Sequence, residues 1–285
     1  MKICHVINSL SGGGAETHLL DLVHAQKHQG HSVTVISTGP DKKNMKSLEQ
    51  EFKDVSDNVL RLYFPRLFNF YSYIKFFKNL RDEQYDIVHT HQPRSDFMFF
   101  ILKSITGIKA KWIVSIHGKY DTYLEGNILF DQIRKLSMPL LVNIWNNSNQ
   151  KICISEEVKN WLSNYKIKSD ISVVNYWINN TKLENLEENK ECINIGFMGR
   201  VNKNKGIEDL LDVYEGLNKD RYNLLIAGIC EDTYLKKLNE RFDLKNVNFL
   251  GYVSNKEEFF SNIDIFVFPS YSEGLGLALL ESMSY

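Results

Sequence analysis

A chain of 285 residues is long enough to bury two cores of ordinary size. Its 43% hydrophobic and 24% charged content is that of a globular protein, and a formal net charge of −1 leaves no basic footprint for nucleic acid. Four cysteines (Cys4, Cys153, Cys192 and Cys230) form no C-x-x-C pair and lie mostly in apolar, strand-like segments, so small core residues in a reducing compartment are expected, not metal or redox chemistry.

Residues 1–8 have an apolar run too short and too interrupted for a signal peptide. The apolar run 97–102 falls far below the roughly 18 residues of a membrane span. A cytoplasmic protein is expected, and the N-x-[ST] triplets at Asn146 and Asn179 are then incidental.

In chain order, β-rich runs at 3–7, 31–37, 59–63, 87–90, 112–116, 151–154 and 171–174 alternate with amphipathic or apolar stretches, the pattern of a parallel sheet. After the first run, Ser11-Gly-Gly-Gly-Ala-Glu16 opens a helix that stops at Gly30. Glycines let backbone N–H groups approach a ligand and a helix N-terminus favours an anion, so the loop with Gly13 and Gly14 suits a diphosphate. The loop is not G-x-G-x-x-G, since position 17 is Thr, and no acidic residue ends the second strand; a dinucleotide is disfavoured. The segment 68–81 is rich in aromatics and carries Lys75, Lys78 and Arg81, which suits a helix on an anionic membrane surface; its alternative is a surface helix with aromatics packed inward. His89 and His91 end a strand and are expected to point to opposite sides, which argues against a metal there. His117-Gly118 follows the fifth run, at a strand's carboxyl end.

The polar stretch from Asn179 lacks the apolar content of a core element and reads as a linker. The division is then 1–178, a linker at 179–192, and a second domain at 193–285. The two halves differ electrically, +5 up to Ile178 and −6 beyond it. In the second domain, strands at 193–198, 222–227, 247–250 and 265–268 alternate with helices near 207–217, 233–241 and 256–261. Its first strand leads into Gly199-Arg-Val-Asn-Lys-Asn-Lys-Gly206, where a guanidinium and an ammonium at a strand-to-helix turn suit phosphate oxygens; Lys203 is an extra cation. The apolar run 263–268 leads into a Gly-rich turn holding Glu273, and Glu281 follows eight positions later, about two turns into the next helix.

The turn at Gly13-Gly-Ala-Glu16, His117-Gly118, the Arg200 and Lys205-Gly206 spacing and the Glu273/Glu281 pair, in this order, resemble the retaining GT-B glycosyltransferases of family four, whose second signature is E-x7-E. The resemblance implies an α/β fold of two Rossmann-like, doubly wound domains with a cleft between them, and transfer of a sugar from a nucleotide diphosphate sugar, a UDP-sugar, with retained anomeric configuration. It implies that Arg200 and Lys205, with Gly13 and Gly14, bind the leaving diphosphate, that Glu281 holds the ribose and Glu273 the donor sugar, and that His117 orients that sugar. It implies no metal and no cofactor beyond the donor, and a lipid-linked saccharide acceptor in polysaccharide or glycolipid synthesis. A sugar-nucleotide epimerase of the same fold and a non-catalytic nucleotide-binding or partner protein are the alternatives. Two departures stand out: Tyr176-Trp177 where the family often has Asn-Gly, and an ending at Tyr285 where the family continues. By that comparison the second domain is expected to be incomplete, with Leu277, Leu279, Leu280 and Met283 uncovered and transfer by the chain as written poor.

Overall fold

The computed structural model describes residues 1–41, 45–62, 70–122, 128–168, 170–178 and 192–285. The predicted linker up to residue 191, Tyr63, Phe68 and Asn69 lie outside the described residues. The chain divides into two compact units, Met1–Tyr120 with Arg134–Tyr176, and Asp121–Ile133 with Trp177–Tyr285.

The first unit holds a seven-stranded parallel sheet: β1 (Lys2–Ile7), β2 (Ser32–Ser37), β3 (Asn58–Arg61), β4 (Ile87–His91), β5 (Lys111–Ile116), β6 (Gln150–Cys153) and β7 (Ile171–Val173). Its order is β3-β2-β1-β4-β5-β6-β7, so the winding reverses between β1 and β4. That reversal opens a crevice at the carboxyl ends of the strands, where open α/β sheets bind ligands. Crossover helices cover both faces, which is why β1 and β2 are buried along nearly their whole length.

On one face, α1 (Gly14–His28) sets Leu19 and Val23 against Ile7, Val33 and Val35, joined by Phe52 of α2 (Glu49–Val55). On the other, α3 (Phe70–Glu83), α4 (Pro93–Thr106) and α5 (Ile128–Trp145) supply aromatics. Phe99 meets Trp112 edge-on with ring centres 5.4 Å apart and lies 6.5 Å from Phe76. The indole N–H groups there are satisfied, Trp112 donating to the Thr90 hydroxyl and Trp145 to the Asp96 carboxylate, each at 2.9 Å. A short α6 (Glu156–Leu162), capped by the Ser155 hydroxyl, precedes β7.

Helix α3 divides its aromatics between the two expectations. Phe76 and Leu80 are buried, whereas Phe70, Tyr71 and Ile74 are exposed along with Lys75, Lys78 and Arg81. Spacings of three and four place those six on one side of the helix.

The second unit holds β8 (Ile193–Met198), β9 (Tyr222–Ala227), β10 (Val247–Gly251) and β11 (Ile265–Phe266), parallel and in the order β10-β9-β8-β11. The winding reverses between β8 and β11. Helices α7 (Ile207–Glu215), α8 (Asp232–Arg241), α9 (Lys256–Ser261) and α10 (Leu277–Ser284) alternate with them. Phe197, Leu224 and Ile226 pack against Leu210, Leu211 and Tyr214, and the Tyr214 hydroxyl donates to the Tyr222 carbonyl at 2.9 Å. At β8–β9 the backbones nearly touch: a Cβ on Gly228 would lie 1.7 Å from the Gly199 carbonyl oxygen.

Several expectations are corrected. The last strand is only two residues long, not the run 263–268 or 265–268; among the described residues it pairs only with β8, and Pro269 has no N–H with which to extend a ladder. Glu281 is the fifth residue of α10, little more than one turn in, because the helix starts at Leu277 after Gly276. Cys4 and Cys153 are buried as expected, but Cys192 is exposed, since it lies just outside β8. In α10, Leu279 and Met283 are exposed and Leu277 and Leu280 half-buried.

Candidate active site

In the second unit the loops that follow β8 and β11, the two strands flanking the winding reversal, are joined by a backbone seam. Gly206 has φ 68° between a 3-10 turn (Lys203–Lys205) and α7, and a Cβ on it would lie 2.2 Å from the Pro269 carbonyl oxygen, so only glycine fits. The Tyr271 N–H donates to the Asn204 carbonyl at 3.0 Å, and the Asn202 carboxamide oxygen caps the turn by accepting from the Lys205 N–H at 3.2 Å. This seam holds the Lys205 ammonium in an ion pair with Glu273, the two side chains only 13% and 20% exposed. The ammonium also stands 5.7 Å from the centre of the Phe268 ring.

Arg200, on the same loop as Lys205, is exposed and makes no ion pair among the described residues. Glu281 does not join this group. Its carboxylate pairs with Lys256 at the start of α9, a cation that the sequence reading did not single out. Lysine and glutamate already in contact place a donor for phosphate oxygens beside an acceptor for hydroxyls.

In the first unit the Gly-rich turn departs from expectation. The Gly12 N–H donates to the Lys46 carbonyl at 2.8 Å and the Gly13 N–H to the Ser11 carbonyl at 2.7 Å, because Ser11 forms a bridge with Ser47 and bends the loop back on the chain. These two donors serve the fold. Gly14 is the first residue of α1, and the Glu16 carboxylate lies buried in that first turn, where a helix favours an anion. It accepts from the Ser9 hydroxyl and from the Gln92 carboxamide, both at 3.3 Å. Gln92 adopts φ 86° to present that amide, a conformation costing about 1–3 kcal/mol in a residue other than glycine.

His117 follows β5 and is the outer member of a row of imidazoles. Its Nδ1 is hydrogen-bonded to the Tyr176 hydroxyl and its Nε2 lies 3.1 Å from His91 Nδ1. His91 Nε2 is 3.0 Å from His5 Nδ1, and His5 Nε2 is 2.8 Å from the Gln26 carboxamide oxygen on α1. Burial drives these rings toward the neutral form: His5 down to about 4, against the Gln26 hydrogen bond that raises it, His117 down to about 3, and His91 and His89 well below the ordinary imidazole range.

The expectation that His89 and His91 point to opposite sides is wrong. Residues two apart on a strand share a face, and the two ring centres are 4.2 Å apart. His5 pairs in register with His89, so all three rings meet, with ligand nitrogens within 4.8 Å of one another. The geometric ground for excluding a metal there is thereby removed, although the rings also satisfy one another by hydrogen bonds.

Comparison with known proteins bears on both units. Residues 12–181 match the family Glycosyltransferase Family 4, and residues 179–285 match Glycosyl transferases group 1. The chain belongs to these glycosyltransferases. It is 25% identical over 273 residues to the O-antigen biosynthesis glycosyltransferase WclY of Escherichia coli, covering 92% of this chain and 76% of that protein. It is 24% identical to the capsular polysaccharide biosynthesis glycosyltransferase CapH of Staphylococcus aureus, covering 99% and 78%. Anabaena HepE, solved in complex with UDP and glucose, superposes with a TM-score of 0.79 at 15% identity, covering all of this chain and 78% of that one. The GT-B fold expected for this glycosyltransferase is the fold found. Among the described residues, no helix is long and apolar enough to cross a membrane.

Proposed function

We propose that this glycosyltransferase moves a sugar from a nucleoside diphosphate sugar, with UDP as the leaving group, to a lipid-linked saccharide in the synthesis of a surface polysaccharide or glycolipid, with retained anomeric configuration. The observation that carries the reading is the Gly206–Pro269 seam, which sets Lys205 on Glu273 with Arg200 on the same loop. Arg200 and Lys205 neutralise charge developing on the departing diphosphate, and Glu273, released from part of its ion pair as the phosphate engages Lys205, accepts from hydroxyls of the donor sugar. Glu281 with Lys256 serves the ribose. His117 orients the transferred sugar, with Gly13, Gly14 and Glu16 shaping the turn of the first unit.

Support for a UDP donor comes from HepE, which was solved with UDP-glucose, and support for the acceptor class from the O-antigen and capsule roles of WclY and CapH. The exposed face of α3, with Phe70, Tyr71, Ile74, Lys75, Lys78 and Arg81, suits an anionic membrane surface on which such an acceptor resides, and a peripheral, cytoplasmic enzyme. No metal takes part in the proposed transfer.

The test is Arg200→Ala and Lys205→Ala, assayed for UDP release across a panel of UDP-sugars. A kcat lower by about 100-fold or more is expected, the scale of losing one preorganised electrostatic contact. Activity within a few-fold of the parent would refute the assignment.

A further inference from the structure

The imidazole row has a direction. Strand register explains its path: His5 pairs with His89 and His91 with Ser115, so His5, His91 and His117 climb the same sheet face by two residues per strand toward the carboxyl ends. The row crosses from α1 over β1 and β4 to the residue after β5. One end of it sets the direction, because the Gln26 carboxamide faces His5 with its oxygen, which can only accept. His5 therefore carries its proton on Nε2 and offers Nδ1 as an acceptor. His91 must then donate from Nε2 to His5 and accept at Nδ1, and His117 must donate from Nε2 to His91. What remains on His117 is a bare Nδ1, to which the Tyr176 hydroxyl donates.

We propose that Gln26, His5 and His91 are positioning residues for His117: they lock its proton on Nε2, and so make Nδ1 a hydrogen-bond acceptor that takes a hydroxyl of the transferred sugar in place of the Tyr176 hydroxyl. The inference rests on the reading of His117 as a sugar-orienting residue and specifies its chemistry. An imidazole with its proton on Nδ1 would present a donor instead and select a different partner. Burial of the inner rings supports the lock, since it holds them neutral through the physiological range. His89, donor or acceptor to the Ser115 hydroxyl at 2.8 Å, packs beside the row without being a link in it.

The tautomers are read directly from two-bond proton–nitrogen correlations of the histidine rings in the full chain, labelled with 15N, at neutral pH. Nε2–H is expected for His5, His91 and His117. Tyr176→Phe should leave the His117 tautomer unchanged, because the inner side sets it. Gln26→Leu, a half-buried change on α1, should erode the preference along the row by about fivefold in tautomer ratio, the scale of one net hydrogen bond. Gln26→Glu, which still accepts, should restore it. His91→Leu should abolish it at His117 and His91→Gln retain it. Nδ1–H at His91 or His117 in the parent, or a change of tautomer in Tyr176→Phe alone, would overturn the proposal. So would saturable displacement of the His5, His89 and His91 signals by equimolar Zn²⁺ at neutral pH, which would assign the cluster to a metal. Unimpaired sugar transfer by His117→Ala would instead count against the role of His117 and leave the tautomer result standing.

Discussion

Acid should unfold the first unit well before the second. All eight histidines lie within residues 1–120. Four of them, His5, His18, His89 and His91, are buried at 9% exposure or less. Burial holds His5 down to about 4, burial with repulsion from His5 does the same for His18, and burial with repulsion from neighbouring rings holds His89 and His91 well below the ordinary imidazole range. A histidine whose folded pKa is depressed contributes its full stability above the unfolded value near 6.5 and loses it as pH falls, because the unfolded chain takes up the proton first. At about pH 5 each ring kept neutral costs about 2 kcal/mol, so the four together remove about 8 kcal/mol relative to pH 7.5. Asp96 works the other way. Burial raises its carboxyl to about 7, against hydrogen bonds from Thr90 and Trp145, and over the same interval it returns about 2.5 kcal/mol. The net loss is about 5 kcal/mol, of the order of the whole stability of many domains. At about 2–4 °C per kcal/mol for a unit of this size, the melting temperature should drop by 10 °C or more. Trp112, Trp145 and Trp161 lie in the first unit, so tryptophan fluorescence follows its unfolding, while calorimetry resolves the second, histidine-free unit. A fluorescence midpoint at pH 5 within 3 °C of that at pH 7.5 would show that the rings are not buried and neutral.

Gly206→Ala should cost about 2 kcal/mol or more in the second unit, from a left-handed backbone and a Cβ 2.2 Å from the Pro269 oxygen, and should lower affinity for UDP, measured by titration calorimetry. Gly216→Ala, with nothing closer than 3.5 Å and φ −78°, is the control and should be neutral or slightly stabilising; equal losses in both would remove the seam from the argument. If α3 lies on a membrane, the protein should sediment with anionic vesicles, be released by salt and ignore neutral vesicles. Changing Lys75, Lys78 and Arg81 to Ser should weaken binding by about 100-fold, at about 1 kcal/mol per cation, whereas equal binding to both lipids would count against an electrostatic contact.

Strand and helix alternation was legible because parallel strands buried on both faces read as short apolar runs, and all eleven strands lie within two residues of their predicted limits. β11 was overextended since apolar character continues through Phe268 after the pairing with β8 has stopped. The same arithmetic was misapplied at the histidines. A two-residue spacing puts His89 and His91 on one face, and once that is granted the register of β1 against β4 brings His5 to them. No local signal announces Gln26, which reaches the row from a helix, and Tyr176, which stood out only as a departure after β7, carries no sign of its contact with His117.

Spacing also finds residues without finding their partners. Arg200, Lys205, Glu273 and Glu281 were marked as a single set by their positions in the chain, yet Lys205 binds Glu273 while Glu281 binds Lys256. The division has a physical cause. Gly206 locks the β8 loop against the turn after β11, so the residues on either side of that contact must meet, whereas Glu281 has already been carried one helical turn away and faces the start of α9. Each of the two carboxylates is paired with a lysine, whereas Arg200, like Lys203, has no carboxylate partner among the described residues and so none to give up to the proposed diphosphate. If that division of labour holds, Arg200→Ala should raise the dissociation constant for UDP more than Lys205→Ala does, because only Lys205 must first surrender a partner; the reverse order would place the diphosphate on Lys205.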